Sequence, residues 1–117
     1  MAKFSEMDEK EVTLSEQLEE NVSPVILINK FNVKPEEVDH LLRAWAYDAA
    51  YFKSQLYRGI GGSGILVNYA IGESTVHLKK ALNNVDLQDI LSKYPASTVV
   101  SPNLFKKVAV PGICVDE

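Results

Sequence analysis

Leu56-Tyr57-Arg58-Gly59-Ile60-Gly61-Gly62-Ser63-Gly64-Ile65-Leu66-Val67-Asn68-Tyr69-Ala70-Ile71 is the stretch on which the fold turns. Ile65 to Ile71 is dense in β-branched and aromatic side chains and reads as a strand, and Leu56 to Ile60 reads as a shorter one. The linking run, Gly61-Gly62-Ser63-Gly64, is dominated by the residue that adopts positive φ without steric cost. The two strands are therefore expected to pair antiparallel through a glycine-rich hairpin turn. A phosphate loop is the other reading of such a cluster, but no Lys-Ser/Thr pair follows and the run leads into a strand, not a helix.

Upstream of the hairpin, Pro24 opens Val25-Ile26-Leu27-Ile28-Asn29-Lys30-Phe31-Asn32-Val33, a strand by its β-branched content and its alternation from Asn29 onward. Lys34-Pro35-Glu36-Glu37 then suits a first helical turn, with proline early and acids at the positive end of the dipole. Val38, Leu41, Leu42, Trp45, Ala49 and Phe52 recur at threes and fours, which predicts a helix to about Lys53 with one face on a core. Downstream, Ser74 is a candidate N-cap for a helix carrying Val76, Leu78, Ala81 and Leu82, and Asp86 to Leu91 adds a further turn or two before Tyr94-Pro95. Leu104 to Val110 is expected to be the last strand, stopped by Pro111-Gly112. The order is β-α-β-β-α-β, an α+β ferredoxin-like arrangement with an antiparallel sheet and both helices on one face. Apolar residues such as Val25, Leu27, Ile65 and Val67 are spread over both faces, so the open face is expected to be covered by dimerisation.

The chain has 117 residues, 46% of them apolar and 24% charged, which fits one soluble domain. Residues 1–22 hold seven acids against two lysines, so most of the net charge of −4 sits in this segment and the remainder is nearly neutral. The segment reads as an acidic, flexible arm, with Leu14, Leu18 and Val22 spaced by fours as a weak amphipathic pattern; docking on a partner subunit is its alternative. Residues 23–117 read as the single ferredoxin-like domain. A neutral body without a basic stripe argues against nucleic acid. No apolar run reaches membrane-spanning length and the N-terminus is acidic, so no membrane partner and a cytoplasmic location are expected. A lone Cys114 and two histidines cannot form a disulfide framework or a structural metal site.

Four segments carry a resemblance: Ser23-Pro-Val-Ile-Leu-Ile-Asn-Lys-Phe, Leu56-Tyr-Arg-Gly-Ile-Gly-Gly-Ser-Gly, Asn68-Tyr-Ala-Ile-Gly-Glu-Ser-Thr and Ser101-Pro-Asn-Leu-Phe-Lys-Lys-Val-Ala-Val-Pro-Gly-Ile-Cys. Together, from about Pro24 to Val115, they resemble the antibiotic biosynthesis monooxygenase family. The resemblance implies a ferredoxin-like fold whose sheets pair into a dimeric α+β barrel. It also implies oxygenation of quinols or aromatic phenols with no metal or flavin. Two departures stand out. The family carries a segment of the type Pro-Gly-Phe-Ile-Ser-x-Gln before the Leu-x-Arg-Gly-Ile-Gly-Gly run, whereas here Gln55 meets Leu56 directly. The family motif Asn-x-x-x-Trp-Glu-Ser has Gly72 in place of Trp. Either Leu56 to Ile60 makes a stunted strand, or residues around Tyr51 to Gln55 are drawn out to replace the missing part. Haem-degrading relatives use a Trp and a ligating His where this chain has Ala81 and Leu91, so haem chemistry is not implied.

Triplet dioxygen reacts slowly with closed-shell organics, so a cofactor-free oxygenase must deprotonate its substrate and hold the anion in a dry pocket. Asn68 is the candidate donor to a developing oxyanion and Arg58 the candidate positive charge. Asn68 shares the even-numbered face of its strand with Leu66, Ala70 and Gly72, while Tyr69 should point away. Asn29, Trp45, Leu66, Tyr51 and His77 are the candidate substrate-binding residues, with Tyr47 and Tyr57 as further aromatic candidates. Each has a plainer role: Trp45 in core packing, Arg58 at the hairpin surface, His77 in solvent at a helix start, and His40 beside Asp39 on a polar face. Two functions are open at this level. One is a homodimeric, cofactor-independent monooxygenase for a small apolar or aromatic molecule; the other is a catalytically silent, homodimeric small-molecule-binding or structural protein of the same fold.

Overall fold

β2 (Val25–Asn32) lies at the centre of a five-stranded sheet, and the order of elements around it follows from the alternation and the glycine turn. The computed structural model describes residues 1–48 and 54–113. The chain runs β1 (Lys3–Phe4), α1 (Leu14–Gln17), β2, a 3-10 turn (Pro35–Glu37) leading into α2 (Val38–Asp48), β3 (Ser54–Arg58), β4 (Ile65–Gly72), α3 (Thr75–Asn83), α4 (Leu87–Lys93) and β5 (Val99–Phe105). The strands lie in the order β1-β5-β2-β4-β3, all antiparallel except the β1–β5 pair. Without β1 this is the expected ferredoxin-like α+β sheet.

Gly61 and Gly62 take φ of 77° and 74°, the positive values the hairpin turn demands. Gly64 is required for a different reason: a Cβ there would lie 1.9 Å from the Val33 carbonyl oxygen, because Val33 N–H donates to Gly64 at 2.9 Å where β2 and β4 part. Ser74 caps α3 by accepting from His77 N–H at 3.1 Å, as its sequence position indicates.

Three boundaries differ from expectation. β3 covers Ser54–Arg58, not Leu56 to Ile60, because Gly59 N–H already donates to Ile65 at 2.8 Å and begins the turn. The last strand is Val99–Phe105, not Leu104 to Val110. Pro102 lies inside it at no cost to the ladder: Val100 and Leu104, which share its parity, direct their backbone groups to the outer edge, toward Ser5 and Gln17, so the missing N–H of Pro102 faces away from β2. Residues 1–22 add β1 and α1, and α1 is a single turn closed by a Thr13–Glu16 capping box. The end of the first helix near Lys53, Tyr51 and Cys114 lie outside the described residues.

Strand parity divides the sheet into two faces. Val25, Leu27, Asn29 and Phe31 of β2 stand on the helix side with Gly72, Ala70, Asn68 and Leu66 of β4 and with Leu104, Pro102 and Val100 of β5. Two apolar clusters cover that side. One joins Phe31, Val33, Leu66 and Val100 to Val38, Leu41 and Ala44 of α2 and to Leu91 and Tyr94 at α4. The other joins Val25 and Leu104 to Leu78 of α3, with Leu14, Leu18, Val22, Leu27 and Leu82 packed around it. The opposite face carries Ile26, Ile28, Val67, Tyr69 and Ile71, and Ile71 is 62% exposed.

Candidate functional site

Asn29 and Asn68 are direct partners across β2 and β4, with Pro102 of β5 beyond Asn29 and Leu56 of β3 beyond Asn68. This row lies between the two apolar clusters: Phe31, Leu66 and Val100 are on one side of it, and Leu27, Ala70 and Leu104 on the other. Two carboxamides thus sit side by side in an otherwise apolar wall. None of the four side chains in the row ionises.

The two asparagines differ in how they are satisfied. Asn68 Nδ2 donates to the Gln55 carbonyl at 3.1 Å, and since a carbonyl only accepts, this bond fixes the amide orientation and leaves a second N–H for another acceptor. Asn29 Oδ1 is buried with no hydrogen-bond partner among the described residues. A buried polar atom left unpaired costs about 1–3 kcal/mol, and Thr98 Oγ1 and Asn103 Oδ1 are in the same condition among the described residues.

The remaining sequence candidates are dispersed. Leu66 is 1% exposed and Trp45 is half-buried, both in the cluster beside Asn68. Arg58 shares the parity of Leu56, but its Nε donates to the Ser63 carbonyl at 2.8 Å and so braces the hairpin turn. His77 is exposed on α3, its Nε2 3.4 Å from Glu73, away from the row. Tyr69 points to the open face opposite Ile28, as parity requires, and Tyr57 does the same at 59% exposed. Tyr47 lies under the Lys93 ammonium, 4.1 Å from the ring centre. His40 Nε2 is 3.2 Å from the Lys93 carbonyl and ties α2 to the end of α4. Among the described residues no group of acids, histidines and cysteines could hold a metal ion, and no helix is long and apolar enough to cross a membrane.

At Gly72, the position of the expected Trp, a Cβ would lie 3.1 Å from Val25 Cγ1, so Val25 occupies the space next to this backbone. Two cavities open elsewhere, and neither is lined by Asn29 or Asn68. One, of about 470 Å³, lies between residues 7–11 and Asn103 with Phe105. The other, of about 290 Å³, lies between the arm and the sheet and is floored by Val25 and Leu104. Thr75 is the residue that sequence reading missed: 1% exposed, it anchors the arm through its hydroxyl. Its partners are more than fifty positions away, so no local pattern signals it.

No protein-family model and no curated protein matches the sequence. Two solved structures share the fold. A "putative monooxygenase" from Shewanella loihica PV-4 superposes with a TM-score of 0.62 at 21% identity, covering 75% of this chain and 97% of that one. SnoaB, a cofactor-independent oxygenase from Streptomyces nogalater, superposes with a TM-score of 0.58 at 18% identity, covering 78% of this chain and 99% of that one. At such identities the likeness establishes a common fold.

Proposed function

We propose that the chain is a cofactor-independent monooxygenase acting on an aromatic or quinol-type small molecule. The observation that carries this reading is the Asn29–Asn68 pair, an unpaired buried acceptor beside an amide with a spare donor, in an apolar wall. A fold in common with a cofactor-independent oxygenase supports it. In this reading a phenolic hydroxyl of the substrate donates to Asn29 Oδ1, while Asn68 Nδ2–H stabilises the oxyanion formed when the substrate loses its acidic proton. The proton passes to solvent and the electron-rich anion reduces dioxygen to a peroxide on the same ring carbon; loss of that carbon's second hydrogen with O–O cleavage leaves a carbonyl and a hydroxide, which takes a proton from solvent and leaves as water. Apolar flanks from Leu27, Ala70, Leu56 and Leu66 strengthen the amide–oxyanion interaction once a bound substrate excludes water from the row.

The working unit in this reading is a homodimer. Ile26, Ile28, Val67, Tyr69 and Ile71 form an apolar sheet face that a second copy would cover. Ile28→Glu is expected to give a monomer by light scattering at micromolar concentration; an unchanged size for the variant, or a monomeric parent, overturns the dimer.

Dioxygen uptake by the purified protein against a panel of quinols and anthrone-type phenols tests the activity. Asn68→Ala is expected to lower the rate at least ~100-fold with the fold kept, the usual loss for one oxyanion donor. Turnover unchanged in that variant removes Asn68 from the mechanism. A second reading, a catalytically silent ligand-binding dimer, is favoured by Gly72 standing where the resemblance calls for Trp; it forecasts ligand-induced stabilisation without oxygen uptake.

A further inference from the structure

Asn103 and Phe105 share one face of β5, the face opposite the Asn29–Asn68 row, since Asn103 is the partner of Ile28 while Pro102 is that of Asn29. A polar side chain on an open sheet face should stand in solvent, yet Asn103 is only 8% exposed. The arm reaches this place from the outer edge of β5, where Ser5 N–H donates to the Val100 carbonyl at 2.9 Å. Residues 7–11 then form, with Asn103 and Phe105, the walls of the cavity of about 470 Å³. Leu104, which lies between those two in sequence and faces the helices, does not line it, so the cavity meets the side chains of Asn103 and Phe105.

Asn103 Nδ2 donates to the Leu104 carbonyl at 3.2 Å, and because a carbonyl only accepts, this bond fixes which end of the amide is oxygen. Oδ1 is buried and accepts from nothing among the described residues, so the cavity calls for a donor. Charge decides which kind. The lining carries the three acids Asp8, Glu9 and Glu11 against the one base Lys10. The Asp8 carboxylate is held in place, its Oδ1 accepting from the N–H groups of Lys10 and Glu11 at 3.2 and 3.1 Å. Lys106, the base that follows Phe105, lines the other cavity instead. Phe105 and Met7 supply the apolar wall, and the face of an aromatic ring attracts a cation. Among the described residues no group of acids, histidines and cysteines could hold a metal ion, so the cation that fits these walls is organic.

We infer that the cavity between residues 7–11 and β5 is a binding site for a small organic ammonium ion that carries a flat apolar group. Its ammonium N–H donates to Asn103 Oδ1, the Asp8 carboxylate balances its charge, and its apolar group rests against Phe105 and Met7. Met7 is unbranched, and a change of its rotamer admits the ammonium to the buried oxygen. A volume of about 470 Å³ is within the usual range for small-molecule sites. Because the site lies across the sheet from the Asn29–Asn68 row, it goes beyond the oxygenase reading and stands or falls without it.

The probe is 2-phenylethylammonium, titrated into the full chain and followed by the amide NMR signals of residues 7–11 and 103–105 and of the Asn103 side chain. Saturable shifts are expected there with a Kd on the order of 1 mM or below, as suits a ligand of so few atoms. 2-Phenylethanol keeps the shape and a donor but not the charge, and is expected to bind at least about fivefold more weakly. Asn103→Leu should weaken the ammonium about tenfold or more, the usual loss for a hydrogen bond to a charged group. Asp8→Asn should weaken it about two- to fivefold, and less at high salt. Urea midpoints check that each variant is folded; if Asn103→Leu is not, Phe105→Ala takes its place with an expected loss of about threefold or more. Equal affinity for the amine and the alcohol overturns the inference, as does full affinity in Asn103→Leu or its replacement. So do the absence of saturable shifts up to about 20 mM and shifts confined to the Asn29–Asn68 row.

Discussion

Replacing Asn29 by leucine should stabilise the protein. The side chains have the same branched shape with four heavy atoms each, and Asn29 makes no hydrogen bond with the described residues that the change would break. Removing the buried, unpaired Oδ1 releases a penalty of about 1–3 kcal/mol. Seating the wider methyl groups against Pro102 and Asn68 takes back on the order of 1 kcal/mol, which leaves a net gain of up to about 2 kcal/mol. For a chain of this size that is a rise in Tm of up to roughly 8 °C. The assay is urea unfolding at fixed protein concentration with both midpoint and slope fitted, so that a stability change is separated from a change in the exposed surface. Asn68→Leu is the internal comparison: it loses the bond to the Gln55 carbonyl and should destabilise by about 1 kcal/mol. Opposite signs for two neighbours in one row would mark Asn29 as kept for a ligand. Asn29→Leu unfolding at lower urea with an unchanged slope would refute the reasoning, because it would mean that the acceptor is satisfied in the folded protein.

Thr75→Val removes the two hydrogen bonds of the arm anchor and should cost about 2–3 kcal/mol by thermal unfolding, with Thr75→Ser losing no more than about 1 kcal/mol; equal losses would assign the residue to packing alone. Gly64→Ala pushes a methyl into the Val33 carbonyl and should be among the most damaging single changes, about 3 kcal/mol or more by urea midpoint, whereas a loss under 0.5 kcal/mol would mean the strand crossing is looser than described. Gly72→Trp should be destabilising alone and substantially rescued by Val25→Ala, a coupling of about 1 kcal/mol or more in a double-mutant cycle; additive losses would show that Val25 does not fill the Trp position. His77→Ala should leave ligand binding unchanged and stability within about 0.5 kcal/mol, since its contact with Glu73 is exposed; a drop in binding would bring α3 into the site.

Much of the sheet was legible because its cues are local. Positive φ at Gly61 and Gly62 follows from a glycine run between two strand patterns, and the cap of α3 follows from Ser74 before an apolar stripe. The shared face of Leu66, Asn68, Ala70 and Gly72 follows from parity alone. The last strand was misread because Pro102 is a strand breaker unless its nitrogen faces the free edge, and which edge is free depends on where β5 docks. Arg58 was plausible as a site cation until the turn folded back and gave its guanidinium the Ser63 carbonyl.

By itself the sequence determined the types of the elements from β2 to α4, the hairpin and which residues share a face, since each depends on spacings of two, three or four residues along one chain. Only the tertiary structure decided that Asn29 stands opposite Asn68, that Asn29 alone of the two lacks a partner, and that residues 1–22 return to the edge of β5 and the Thr75 hydroxyl. Those facts depend on register and on contacts between residues tens of positions apart. Such contacts are chosen by which surfaces can be buried together, and no local spacing records that choice.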